Sequence, residues 1–238
     1  LKTQVEIFAT PPVWIFRPTF KNYALVFEQQ PFLNYMFNSA IVATTSTLIG
    51  MILGLPAAYS IARYRQQKLA LGILAARIMP GVAYLVPLFL LFRSLGLLGT
   101  HVGLIISHVL VTFPLVVWVM IAFFEDIPQE LFDAALVDGS SRIGAFLRIA
   151  LPIAQPGIIA TAILAFVFSW NDFKFALVLT NQATRTLPVS IFSWVGFASV
   201  DWGAIMASVT MVVLPVLLLT LLVQRYIVNG LTFGAMKG

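Results

Sequence analysis

The sequence predicts an all-α, polytopic membrane protein, and three observations support this. Apolar residues make up 60% of the 238 residues and charged residues only 10%, whereas soluble domains have roughly 45–50% and about 25%. The mean hydropathy is +0.97. Five stretches reach the length of about 20 residues that a spanning helix needs: 35–62, 69–92, 102–124, 153–179 and 204–228. Lipid offers no hydrogen bonds to the backbone, so long apolar stretches predict helices.

Several of these stretches contain glycine or proline. The first contains Gly50 and Gly54, whose spacing lets two helix backbones approach closely in lipid. The second contains Pro80, the third Pro114 and the fifth Pro215. Proline inside a helix removes a backbone hydrogen bond and kinks the helix. The kinks suit ordinary helix packing and a set of helices shaped around a pathway equally well.

Basic residues predict the orientation, because cytoplasmic loops carry an excess of lysine and arginine. One side of the membrane receives Arg63, Arg65, Lys68, Arg142, Arg148, Arg225 and Lys237, and the other Lys2, Arg17, Lys21, Arg93 and Arg185. This small bias predicts an external segment over 1–34, a transmembrane domain over 35–228 and a cytoplasmic tail over 229–238. The chain begins without methionine, and we expect a further span upstream. The net charge of +5 fits the anionic leaflet better than a nucleic acid, since no basic run is interleaved with aromatic residues.

Residues 125–152 form the most informative loop, which we expect on the cytoplasmic side. This loop contains five acidic residues: Glu125, Asp126, Glu130, Asp133 and Asp138. Pro128 predicts the start of a short helix over 130–137, and Gly139 predicts its left-handed end. Ser140 or Ser141 is expected to cap a following helix. Helical spacing then predicts one shared side for Ile143, Phe146, Leu147, Ile149 and Ala150.

Two short helices joined by glycine form a protruding knob in this prediction. Its apolar side is expected to comprise Leu131, Ala134, Ala135 and Val137. A groove on a cytoplasmic partner protein would bury that side. Packing of the loop against its own spanning helices is the alternative, and the pattern alone leaves both open.

The loop resembles the coupling loop of ABC importer permeases, in which Glu-Ala-Ala is followed at fixed spacing by Gly and by Ile-x-Leu-Pro. The corresponding residues here are Asp133, Ala134, Ala135, Gly139, Ile149, Leu151 and Pro152. Asp133 departs from the family's usual glutamate by one methylene group. Residues 169–173, Ser-Trp-Asn-Asp-Phe, resemble a signature of sugar permeases, and residues 224–232 resemble the tail of the maltose-type second permease subunit.

This resemblance implies a six-span permease of the type I ABC importer fold in a bacterial or archaeal cytoplasmic membrane. The subunit would form half of a pathway with a second, related permease, above two ATPase subunits and beneath an external solute-binding protein. The chain lacks the phosphate-binding pattern Gly-x-x-x-x-Gly-Lys-Ser/Thr. We therefore expect no catalysis and no cofactor in this chain, with ATP and Mg²⁺ bound by the partners. The residues expected to couple to the ATPase are Glu130, Asp133, Ala134, Ala135, Asp138, Gly139, Ile149, Leu151 and Pro152.

Trp170, Asn171, Asp172 and Phe173 are the expected pathway residues, because polar groups in apolar spans are costly and the rings offer faces for a sugar. Interfacial anchoring of the rings and an Asp172–Lys174 pair are the alternatives. The two histidines, at the outer end of the third stretch, lack a neighbouring acidic cluster, so no metal site is expected. The solute is expected to be maltose, trehalose, another oligosaccharide or a polyol. A sugar phosphate or amino acid permease remains an alternative, and an ion channel is less favoured.

Overall fold

The computed structural model describes the backbone of residues 1–78, 80–196 and 200–235, and the side chains of these residues except 77 and 222–235. The described elements are helical, and one isolated antiparallel bridge joins Val195 to Val200. The α-helices are α1 (Gln4–Ile7), α2 (Lys21–Gln29), α3 (Phe32–Arg63), α4 (Gln67–Ile78), α5 (Gly81–Ser94), α6 (His101–Glu125), α7 (Gln129–Val137), α8 (Arg142–Ala145), α9 (Leu151–Ile153), α10 (Gln155–Trp170), α11 (Lys174–Leu179), α12 (Leu187–Ser190) and α13 (Trp202–Ala235).

Among the residues that the structure describes, three helices are individually long and apolar enough to cross a membrane: α3, α6 and the part of α13 up to Leu221. Two bent pairs bring the number to five if each pair counts as one span. Helix α4 meets α5 at 79°, and the segment Arg142–Ile153 meets α10 at 79°. The predicted all-helical class is confirmed, and the predicted five spans agree with the upper count.

The fourth predicted stretch is not one continuous helix, which corrects the expectation for 153–179. Helix α10 ends at Trp170, and α11 begins at Lys174. Asp172 lies in the break, where its Oδ1 accepts a hydrogen bond from the backbone N–H of Phe175 at 2.9 Å. A carboxylate in this position caps a helix N-terminus and favours a new helix start. The predicted second stretch is interrupted at Pro80, which immediately precedes α5.

Helices α3 and α6 run side by side in the same direction and form the centre of the bundle. A Cβ atom on Gly50 would lie 2.9 Å from Oγ1 of Thr112, and one on Gly54 would lie 2.6 Å from Cγ1 of Val116. Only glycine fits these contacts without a shift of the neighbouring helix. The predicted close approach at this glycine pair is therefore confirmed, with α6 as the partner of α3.

Helix α10 packs beside this pair in the opposite direction. Gly157 lies under the ring of Phe123, because a Cβ atom there would meet the ring carbons at 2.5–2.7 Å. Further along α10, Trp170 is buried and donates its indole N–H to the carbonyl oxygen of Val212 at 3.0 Å. The indole therefore ties α10 to α13.

The end of the bundle opposite the 125–152 loop is closed by the N-terminal segment and by residues 180–196. Helix α2 packs on α13 through the fully buried Val26. The amide of Asn38 donates to the carbonyl oxygens of Ala183 and Arg185 at 2.8 and 2.9 Å. Its Oδ1 lies 2.8 Å from Nε2 of His101. Asn38 thereby fastens α3 to α6 and to the loop that follows α11.

The C-terminal part of the chain continues as helix. Helix α13 extends to Ala235, so residues 229–235, predicted as part of a cytoplasmic tail, continue the helix of the fifth stretch. The sequence resemblance noted for residues 224–232 concerns side chains outside the described set, and residues 236–238 lie outside the described residues.

Gly54→Ala is expected to lower the free energy of unfolding, whereas Gly72→Ala serves as its matched control. Both changes remove the penalty of about 1 kcal/mol that glycine carries inside a helix. At Gly54 the new methyl group meets Val116, and such overpacking costs about 1–3 kcal/mol. A Cβ atom on Gly72 of α4 meets nothing within 4 Å. Denaturation of the purified chain in micelles measures both; equal stability of the two variants would contradict the close packing.

Candidate functional site

Helices α7 and α8 with the turn between them form a knob at the end of α6, over residues 128–145. Helix α7 starts after Pro128 and ends at Val137. Gly139 has φ of 84°, a left-handed conformation that glycine adopts without strain. The hydroxyl of Ser141 accepts from the N–H of Gly144 at 3.0 Å and caps α8. The predicted helix, the left-handed Gly139 and the serine cap are confirmed.

The inward face of the knob differs in part from the predicted one. Phe132 and Ala135 are buried against the spanning helices, whereas Leu131 and Ala134 are exposed. Val137 is 87% exposed. The expectation that Ala135 shares an outward apolar side with the others was wrong, because it lies three residues from Phe132 on the same helix face.

The aromatic ring of Tyr59, near the end of α3, holds the knob against the bundle. Its centroid lies 5.7 Å from those of Phe124 and Phe132 and 4.9 Å from that of Phe146. These rings come from α6, α7 and the segment after α8. Tyr59 therefore joins both arms of the knob to the two central spans.

Arg63 adds a charged contact one turn further along α3. Its Nη2 lies 3.1 Å from Oδ1 of Asp133, and its guanidinium lies 5.1 Å from the centroid of Phe132. The Asp133 side chain is 59% exposed. Solvent weakens such a pair to about 0–1 kcal/mol, so the rings rather than the charges dominate this attachment.

A π-helical turn, Phe146–Ala150, follows α8 and leads into α9. Its wider turns change which side chains share a face. Ile143 and Leu147 are exposed, Phe146 and Ile149 half-buried and Ala150 buried. The predicted common side for these five residues was wrong, because the prediction assumed regular α-helical spacing.

The other residues expected to couple to an ATPase lie on both arms of the knob and in its exit. Glu130, Asp138 and Gly139 are exposed, as is Pro152, while Leu151 is half-buried. A cavity of about 710 Å³ lies between the knob and the ends of α3 and α6. Arg63, Arg65, Glu125, Asp126 and Glu130 supply charges of both signs to its lining.

The four predicted pathway residues follow one another at the end of α10 but lie in different surroundings. Asn171 is exposed and donates to the carbonyl oxygen of Val167 at 3.0 Å. The half-buried Phe173 stacks on Phe192 with centroids 4.8 Å apart. Trp170 uses its N–H on Val212 and stacks on Phe166, so its ring presents no open face in this conformation.

Asp172 faces His108 rather than Lys174, the partner in the alternative interpretation. Oδ1 of Asp172 lies 3.6 Å from Nε2 of His108, while Lys174 is exposed. Nδ1 of the buried His108 lies 2.6 Å from the hydroxyl of Ser169. The sequence interpretation considered His108 only for a metal site, which it did not expect. The 61 residues that separate His108 from Ser169 leave no local signal of their contact. Among the described residues, no group of three His, Cys, Asp or Glu side chains is arranged to hold a metal.

A helical bundle with broken spans and a two-helix knob at one end defines a membrane permease subunit of the importer type. The chain belongs to the binding-protein-dependent transport system inner membrane component family, whose model matches residues 46–232.

Two solved structures share the fold. One is a bacterial alginate ABC transporter in complex with an alginate pentasaccharide-bound periplasmic protein, with a TM-score of 0.71, 17% identity, and coverage of 87% of this chain and 82% of that one. The other is the MetNI methionine ABC transporter in an inward-facing conformation, with a TM-score of 0.69, 15% identity, and coverage of 82% of this chain and 93% of that one.

Several curated relatives match over almost the whole chain. The sulfoquinovosyl glycerol transport system permease protein SmoH of Agrobacterium fabrum is 38% identical, covering 100% of this chain and 85% of the relative. The trehalose transport system permease protein SugB of Mycobacterium tuberculosis is 37% identical, with 92% and 82% coverage. The trehalose/maltose transport system permease protein MalG of Thermococcus litoralis is 33% identical, with 97% and 86% coverage.

Tyr59→Ala is expected to destabilise the chain far more than Asp133→Asn. Loss of the ring removes contacts with three aromatic side chains and costs about 3 kcal/mol. Loss of the exposed charge on Asp133 costs about 1 kcal/mol or less. The free energy of unfolding in micelles gives both values. A cost for Asp133→Asn equal to that for Tyr59→Ala would mean that the ion pair, and not the ring cluster, fastens the knob.

Proposed function

We propose that this chain is the permease subunit of an ATP-driven sugar importer in a bacterial or archaeal cytoplasmic membrane. It pairs with a second, related permease and receives its solute from an external binding protein. Two ATPase subunits, which bind ATP and Mg²⁺, dock on the knob from the cytoplasm. The observation that supports this proposal most directly is similarity to permeases of sugar transport systems over almost the whole chain. In addition, the knob projects from the helices that would surround the solute.

Carbohydrate is favoured over other solutes by the relatives. Three permeases that are 33–38% identical have names that refer to sulfoquinovosyl glycerol, trehalose, and trehalose with maltose. The methionine transporter is only 15% identical and supports the common fold alone. The amino acid alternative therefore has no support comparable to that for a sugar.

The exposed surface of the knob suits a partner protein. Leu131, Leu136 and Val137 are 43%, 42% and 87% exposed, although they lie on a part of the chain too polar to enter lipid. The acidic side chains Glu130 and Asp138 border them. An apolar patch with a charged border is typical of a protein–protein contact. A groove on the ATPase subunit would cover it.

The attachment of the knob supports transmission of movement. Tyr59 and Phe124 hold the knob to α3 and α6, and the second arm continues through the π-helical turn into α10. Closure of the ATPase subunits on ATP would pull the knob and shift these spans together. Such rigid-body motion of helices around a solute site produces alternating access.

ATPase activity of the assembled transporter tests the function directly. The chain, its partner permease and the ATPase are reconstituted in liposomes, and the binding protein is added with trehalose, maltose or sulfoquinovosyl glycerol. We expect hydrolysis to rise with at least one of these sugars and to remain basal with methionine. Stimulation by methionine alone would overturn the sugar assignment. Failure of the chain to associate with any ATPase would overturn the importer assignment.

Gly139→Ala is expected to uncouple hydrolysis from solute in the same assay. A non-glycine residue in the left-handed conformation costs about 1–2 kcal/mol. That strain disfavours the left-handed turn of the knob by about 5–30-fold, so sugar-stimulated hydrolysis should fall while the complex still assembles. Gly144→Ala is the matched control in α8, since its φ is not positive and its new Cβ lies 3.3 Å from the hydroxyl of Ser141 and 3.8 Å from Cβ of Ser140. Equal loss in the two variants would argue against a specific role for the turn.

A further inference from the structure

A chain of polar side chains crosses the apolar centre of the bundle. The hydroxyl of Ser46 on α3 lies 2.9 Å from that of Ser169 on α10, which lies 2.6 Å from Nδ1 of His108 on α6. All three residues are buried. Isolated polar groups are costly in such surroundings, so their arrangement from three different spans requires a reason.

The direction of these hydrogen bonds is tied to the tautomer of the imidazole. The Ser46–Ser169 bond can run in either direction; in the direction that also satisfies the carbonyl oxygen of Ala43, 3.3 Å from the Ser46 hydroxyl, Ser46 accepts from the hydroxyl of Ser169. Ser169 has then used its own proton, and it accepts from Nδ1–H of His108. A neutral imidazole protonated at Nδ1 has an acceptor lone pair at Nε2.

The free acceptor of His108 points at a second acceptor. Nε2 lies 3.6 Å from Oδ1 of Asp172, too far for a hydrogen bond. The imidazole side chain is only 2% exposed, and Nε2 is buried without a hydrogen-bond partner among the described side chains and backbone. Oδ1 already accepts from the backbone N–H of Phe175, so Nε2 is the buried acceptor that still requires a hydrogen-bond donor.

A cavity beside this pair has the size of one such donor. Its volume is about 20 Å³, and His108, Ser169 and Asp172 are among its lining residues. A cavity needs about 10–15 Å³ to hold a water-sized group. Phe168, which is 49% exposed, also lines the cavity, so a group can enter from the surface of the chain.

We propose that the site beside His108 and Asp172 binds one hydroxyl group, which donates its hydrogen bond to the imidazole Nε2. Water supplies this group in the resting transporter, and a hydroxyl of the solute replaces it during import. The replacement by a solute rests on the proposed sugar function, whereas the hydroxyl site itself rests on the polar chain and the cavity alone. Phe168 places an aromatic side chain beside these polar groups, and sites for small solutes combine apolar walls with a few polar groups in this way.

Nitrogen NMR of the assembled transporter tests this site. Only this chain carries ¹⁵N-histidine, and His101→Gln leaves His108 as its one histidine. The glutamine amide in this variant retains a donor for Oδ1 of Asn38. We expect one protonated nitrogen, Nδ1, and one unprotonated nitrogen, Nε2, with magnetisation transfer between Nε2 and a hydroxyl proton.

Addition of ¹³C-trehalose with the binding protein separates the two sources of the hydroxyl. Loss of the transfer from water together with a new ¹³C–Nε2 contact identifies a sugar hydroxyl. If the magnetisation transfer is unchanged, the hydroxyl belongs to bound water. The hydroxyl site is then retained, but it does not bind this sugar. A doubly protonated ring, or a proton on Nε2 in place of Nδ1, would overturn the proposal, because neither form accepts a hydrogen bond at Nε2. These outcomes do not depend on whether sugar stimulates ATP hydrolysis.

Discussion

The contact of α3 with α6 at Gly50 and Gly54 is the constraint on which the other parts depend. A Cβ atom at either glycine would come within 3 Å of the neighbouring helix, so the separation of the two helices is set where the glycine backbone of α3 lies against the β-branched side chains of Thr112 and Val116. Because both helices run in the same direction, their ends lie together at each side of the bundle. Tyr59 and Phe124 meet at one side, and Asn38 and His101 at the other.

The hydrogen-bonding constraint that lipid imposes makes most of the fold predictable from sequence. The two helix irregularities that the sequence did not predict depend on local geometry. A spanning segment must satisfy its backbone hydrogen bonds internally and is therefore helical, so hydropathy alone located all five helical regions. The break between α10 and α11 depends on one side chain, since Oδ1 of Asp172 accepts from the backbone N–H of Phe175 at the start of α11. The π-helical turn Phe146–Ala150 has no comparable signature, and regular spacing therefore assigned its neighbours to the wrong side.

The knob was largely predictable because its features are local. Pro128, Gly139 and Ser141 act within a few residues of their own positions, and each does so here. His108 could not be placed in the same way. Its bond to Ser169 joins residues 61 positions apart, and the bond of Ser169 to Ser46 joins residues 123 apart. These residues become neighbours only when three spans pack together, and the periodicity of residues within one span does not indicate that packing.

Helix α10 lies between the knob and the polar chain around His108. Its start follows the knob through the π-helical turn and α9, across a bend of 79°, and its last turn carries Ser169. In its first turn, Gly157 lies so close to Phe123 that α10 cannot approach α6 further. A slide of about 1 Å would break hydrogen bonds of 2.6 and 2.9 Å at Ser169, since such bonds tolerate only a narrow range of distances. Movement of the knob would therefore change the hydrogen bonding of His108, and occupation of the hydroxyl site would in turn favour one position of α10.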